Sequence, residues 1–74
     1  MTEKRLYLNL GASIRYHREI SGISQDRLAK RIKLTRTSIS NIEAGRQRVL
    51  IHTLVRICRQ IGVHPCDLFQ EALQ

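Results

Sequence analysis

Apolar residues recur along this chain at helical rather than strand spacing. Leu10, Ile14 and Arg18 fall at i, i+4 and i+8 on one face of a first helix, predicted from about Leu8 to Ser21. Gly22 then supplies the left-handed position that ends it. A second helix starts after Ser24 as N-cap, with Asp26 in the first turn, where negative charge suits the helix dipole. Leu28, Ala29 and Ile32 make its inner face. A third helix, capped by Thr35 and ended by Gly45, has only Ile39 and Ile42 as apolar anchors. A fourth, about Ile51 to Ile61, carries Leu54, Ile57, Cys58 and Ile61 on one stripe and stops at Gly62. The fifth opens at His64 and Pro65, proline being suited to the first helical position, with Leu68, Phe69 and Leu73 directed inward. No strand-like alternation is sustained, so the pattern predicts an all-α domain of five short helices.

The link between the second and third helices, Lys33 to Thr35, is too short for them to lie antiparallel, so they cross steeply. Small Ala29 permits that close crossing. Ile39 and Ile42 use one side of the third helix and leave Arg36, Thr37, Ser40 and Asn41 on the other, with Ser38 at its edge. An exposed helix selected only for stability would favour Ala, Glu, Lys and Gln. Here helix propensity is given up across a whole face, as happens at functional sites. The face has no acidic residue, and every member hydrogen-bonds. Short, non-acidic donors and acceptors suit the edges of bases in the DNA major groove: Arg36 can pair bidentately with guanine, Asn41 with adenine, and Thr37 can offer its methyl to thymine. The alternative is a merely solvated surface helix.

Charge adds to this picture. The 74 residues hold 13 Lys+Arg against 6 Asp+Glu, a formal net charge of +7. Every basic residue lies between Lys4 and Arg59, and beyond Arg59 the only charged residues are Asp67 and Glu71. A basic body of this kind suits a polyanion partner. The apolar tail suits core packing or self-association. A chain this short buries only about 60–65% of the surface exposed on unfolding, which leaves no room for a second folded domain.

The residues "GASIRYHREISGISQDRLA", "SISNIEAGR" and "LVRICRQIGVHPCDLF" lie within Leu10 to Phe69, a span that resembles the phage-repressor-like (Cro/C1-type, XRE) helix-turn-helix family. The resemblance implies a five-helix, lambda-repressor-like DNA-binding domain over residues 1–74, with its core at about 8–70 and the third helix as recognition helix. It places Arg36, Thr37 and Asn41 at base-reading positions and Gln25, Ser38 and Arg46 at DNA phosphates, with Arg48 beside Arg46. It pairs Arg18 with Glu43 in a buried salt bridge between the first and third helices. Lys33 stands where the family usually has glycine, and left-handed geometry there costs a lysine about 1–2 kcal/mol. His64 stands where Ser, Thr or Asp would cap the fifth helix better.

The expected function is that of a transcriptional regulator of repressor or controller type, binding double-stranded DNA as a homodimer on a pseudo-palindromic operator. Val63, Leu68, Phe69 and Leu73 are the candidates for the dimer interface, though several of them must also serve the core. Control would come from protein concentration, operator number and contact with RNA polymerase. Restriction–modification controllers and small phage or plasmid repressors have this form. An alternative is an antitoxin that also binds a toxin, although only residues 1–6 and 70–74 look spare for that task. Another is a protein-interaction module without DNA binding.

Other classes find little support. No nucleophile–base pair, carboxylate pair or phosphate-cradling glycine loop points to an enzyme. Cys58, His64 and Cys66 match no zinc spacing, two cysteines make no disulfide framework, and no cofactor, metal or small-molecule ligand is expected. The run "VLIHTLVRIC" is broken by His52 and Arg56 and is too short to span a bilayer, and no signal peptide opens the chain. A cytoplasmic location follows as the expectation.

Overall fold

The computed structural model describes residues 1–74 as helices α1 (Glu3–Ile20), α2 (Gln25–Ile32), α3 (Arg36–Glu43), α4 (Ile51–Ile61) and α5 (Pro65–Ala72). α4 has the predicted bounds. α1 starts at Glu3 rather than at Leu8, because the Thr2 side chain accepts a hydrogen bond from the Arg5 N–H (3.1 Å) and Glu3 lies in the first turn. Leu6 and Tyr7 thereby join the packing around the core. At the other end Ala72 is fully buried, so the core extends past residue 70. Little of the terminal segments expected to be spare is outside the fold.

α1 packs on α3, α4 and α5, and α2 packs on α3 and α4. Ile14, Leu28, Ile32, Ile39, Ile57 and Leu68 are the large side chains fully enclosed at the centre. Polar ties close the edges. Ser21 Oγ donates to the Ile61 carbonyl at 2.7 Å, and Asn9 Nδ2 donates to the Ala72 carbonyl at 3.1 Å. α5 departs from expectation in its inner face. Leu68 and Ala72 face inward, four residues apart, while Phe69 is 43% exposed and Leu73, past the helix end, is 54% exposed. One residue's step along a helix turns Phe69 about 100° away from Leu68. No helix is long and apolar enough to cross a membrane.

The helices α1 to α4 end alike. The N–H of Ile23, Leu34, Arg46 and Val63 reaches back to the carbonyl of Arg18, Ala29, Asn41 and Cys58, the long hydrogen bond of a Schellman cap. Each of these residues follows one with positive φ: Gly22, Lys33, Gly45 and Gly62. Lys33 (φ 59°, ψ 40°) thus holds a place that glycine takes at the other three ends. What compensates is visible: Leu34 donates to Ala29 at 2.9 Å and packs against the core, and Arg56 Nη2 donates to the Ile32 carbonyl at 2.7 Å. Lys33→Gly is expected to raise stability by about 0.5–1 kcal/mol, the relief of left-handed strain exceeding the added entropy of the unfolded chain. Urea unfolding measures it, and an unchanged or lowered stability would show that Lys33 is not strained.

His64 does cap α5. Its Nδ1 accepts the Cys66 N–H at 3.1 Å, which requires that ring nitrogen to be unprotonated. Imidazole here performs the task expected of a hydroxyl or carboxylate.

Candidate nucleic-acid interface

α3 is held from below and capped from within. Ile39 and Ile42 are buried, and Thr35 Oγ1 accepts the Ser38 N–H at 3.0 Å. The Thr35 hydroxyl also donates to Ser38 Oγ at 3.1 Å, which leaves the Ser38 hydroxyl proton for an outside acceptor. Arg36 and Thr37 are exposed, whereas Ser38, Ser40 and Asn41 are half-buried. These five residues form one polar surface, as the helical spacing predicted. Arg46, just past α3, places Nη1 at 3.5 Å from Asn41 Oδ1. That long contact puts a guanidinium beside the base-reading candidates.

Behind this surface lies a buried charged network. Arg18 Nε donates to Glu43 Oε2 at 2.6 Å and Nη2 to Oε1 at 3.1 Å, while Nη1 donates to the Ile23 carbonyl at 2.7 Å. Both side chains are almost fully enclosed, at 8% and 7% exposure for the two residues. The hydrogen bond to Glu43 outweighs the cost of burial and holds the Arg18 guanidinium above its ordinary pKa, so it stays charged. The pair ties the C-terminal end of α3 to α1, which fixes the angle at which α3 stands out from the domain.

Gln25 belongs to the same network. It is half-buried, and Nε2 donates to Glu43 Oε1 at 2.9 Å. It also lines an open polar cleft with Arg15, Arg18, Ser24, Asp26 and Arg36. In this structure the amide donor expected at a phosphate is directed inward, a connection between α2 and α3 that one-dimensional spacing does not reveal. Arg48 forms an exposed ion pair with Glu3. A second polar cleft, on the far flank of α3, is lined by Glu3, Lys4, Tyr7, Gly45, Arg46 and Arg48.

The four residues expected at a dimer interface are not brought together. Leu68 is completely buried within the monomer, so it keeps the inward place expected of it and, as a correction, is removed from the dimer candidates. Val63 lines a polar cleft with His17, Asp67 and Glu71, and Leu73 lies beside Met1 and Leu6. Phe69 lines an apolar cleft between α4 and α5 with Ile51, Leu54, Val55, Pro65 and Cys66. Leu50 and Ile51, at its α4 end, are 66% and 74% exposed. The sequence signal for them was present: apolar side chains at the start of α4 that no inward stripe uses. Cys58, by contrast, is enclosed in the core, and burial pushes its thiol up to about 11.

Comparison with known proteins agrees with this architecture. A helix-turn-helix family model matches residues 14–68. Control protein C.BamHI of Bacillus amyloliquefaciens is 42% identical over 48 residues, which is 65% of this chain and 59% of that protein. The match therefore spans less than two thirds of that relative's length. The clp gene regulator ClgR from Corynebacterium glutamicum has a similar structure (TM-score 0.88, 29% identity, 92% of this chain and 72% of that one). So does the restriction-modification controller protein C.Esp1396I, in a tetramer bound to its natural 35 base-pair operator (TM-score 0.77, 29% identity, 93% and 96% covered).

Proposed function

The chain belongs to the XRE-type helix-turn-helix family, and on that premise we propose that it is a DNA-binding transcriptional regulator of controller type. It reads a pseudo-palindromic operator as a homodimer, with α3 in the major groove. The observation that carries this reading is the face of α3: Arg36, Thr37, Ser40 and Asn41 with no acidic residue among them, held at a fixed angle by the Arg18–Glu43 pair. Arg36 and Asn41 read bases, with Thr37 and Ser40 beside them. Ser38, Arg46 and Arg48 grip phosphates on the two sides of the groove. Gln25 reaches a phosphate as well, which requires its amide to turn from Glu43.

A second copy of the chain is the natural occupant of the apolar cleft between α4 and α5. Ile51 and Phe69 line it and are exposed, Leu50 next to Ile51 in the chain is exposed too, and none of the 13 basic residues is among the lining residues. A dimer that reads a pseudo-palindrome holds two recognition helices about 34 Å apart, one helical turn of DNA. The likeness to control protein C.BamHI and to an operator-bound controller tetramer supports both the DNA partner and self-association. Regulation then follows from protein concentration, operator number and contact with RNA polymerase.

Arg36→Ala is the test of base reading. On a selected operator it is expected to cost about 1–3 kcal/mol and to relax preference at one base pair. Binding to the operator and to single-base variants measures it. An equal loss on every sequence would assign Arg36 to a phosphate and leave the base-reading role without its principal residue.

A further inference from the structure

We infer that the first two turns of α1 form, with Arg46 and Arg48, a second clamp on the DNA backbone, in which Glu3 occupies Arg48 until a phosphate displaces it. The inference rests on the DNA-binding reading above. Its new members, Glu3, Lys4 and Tyr7, precede the span matched by the family model, 14–68.

The cleft on this flank joins Lys4 and Tyr7 of α1 to Arg46 and Arg48 of the segment after α3. Lys4, Arg46 and Arg48 are all exposed, and Glu3 is the one acidic residue among its lining. Tyr7 contributes a phenol that donates one hydrogen bond. The two walls are joined rigidly. Gly45 lies against α1 so closely that a Cβ there would stand 2.8 Å from Leu8 Cα and 2.9 Å from Leu8 Cδ2. Arg46 in turn reaches Asn41, on the base-reading face. The cleft therefore opens beside the recognition surface.

The Glu3–Arg48 pair is open to competition. Its side chains are 60% and 76% exposed, and exposed ion pairs contribute little. A phosphodiester held between Arg46, Lys4 and Tyr7 pairs with Arg48 bidentately, as a carboxylate does, and neutralising it also releases counterions from the DNA, a gain the Glu3 pair does not have. Glu3 is then left facing solvent, and its charge lowers affinity without abolishing it.

The test is duplex binding by the full chain across a salt series, on the selected operator and on a scrambled duplex. Lys4→Gln is expected to weaken binding about fivefold to tenfold at 0.1 M salt on both duplexes, and to make the slope of log K against log salt shallower by about one. Tyr7→Phe weakens both duplexes equally with no change of slope. Glu3→Gln tightens both severalfold. If the parent binds steeply with salt while Lys4→Gln and Glu3→Gln leave affinity and slope unchanged, the clamp is wrong and the DNA-binding reading stands. If the parent itself binds without salt dependence, that reading fails and the clamp with it. All three substitutions lie at the surface or at a single hydroxyl, and an unchanged thermal midpoint confirms that folding is intact.

Discussion

Gly11→Ala is expected to destabilise the domain by about 3 kcal/mol, the upper part of the range for overpacking. A Cβ at this position would lie 2.4 Å from the Ile42 carbonyl oxygen and 2.5 Å from that of Glu43. Both are backbone atoms, so no side chain can swing aside. α1 and α3 must separate, and the Arg18–Glu43 geometry separates with them. The sign makes the prediction sharp. In an open helix interior the same change stabilises by roughly 0.5–1 kcal/mol, because alanine is the better helix former. For a domain of this size 3 kcal/mol corresponds to a fall of roughly 12–24 °C in thermal midpoint. A midpoint that stays level or rises would mean that α1 and α3 are not in backbone contact.

Arg18→Met is expected to cost about 3–5 kcal/mol, since it leaves the Glu43 carboxylate buried beside Gln25 with no cation. Glu43→Leu strands the guanidinium in the same way. The double variant removes both charges and is expected to lose far less than the sum, because a hydrophobic replacement of a buried pair is often close to neutral. A double-mutant cycle in urea gives the coupling directly. Small and additive single losses would show that Arg18 and Glu43 reach water and do not brace α3. The cycle also separates stability from function: the double variant folds, yet with the α1–α3 tie gone its operator affinity is expected to fall more than its stability.

Much of the architecture was readable from spacing and punctuation. α4 is the clearest instance: an unbroken apolar stripe ends at Gly62, and its bounds are those predicted. α3 was legible for a different reason, since two isoleucines at i and i+3 leave only one way to seat the helix. The beginning of α1 was missed, although Thr2 and Glu3 as cap and first turn and Leu6 one turn before Leu10 carried a signal for it. Its polar opening masked that pattern. Gly11 carried a signal too, because a glycine in mid-helix costs about 1 kcal/mol unless something approaches closely.

What could not be read arises from the meeting of distant segments. Gln25 and Glu43 are 18 residues apart, and their hydrogen bond depends on the steep crossing of α2 and α3. The apolar residues of the tail looked like one interface but separate in three dimensions. Leu68 goes to the core, Phe69 to the α4–α5 cleft and Leu73 to the side of Met1 and Leu6. A helix turns about 100° per residue, so consecutive apolar residues such as Leu68 and Phe69 do not share one face. Lys33 was identified as the strained position, but the compensation by Leu34 and Arg56 is a tertiary arrangement.

Selection of bound duplexes from a random DNA pool tests most directly whether α3 reads sequence as one half of a dimer. A base-reading homodimer enriches a pseudo-palindrome whose half-site centres are about 34 Å apart, with guanine and adenine positions that respond to Arg36→Ala and Asn41→Ala respectively. A pool that shows no enrichment over its starting composition, or a single half-site without symmetry, would contradict it.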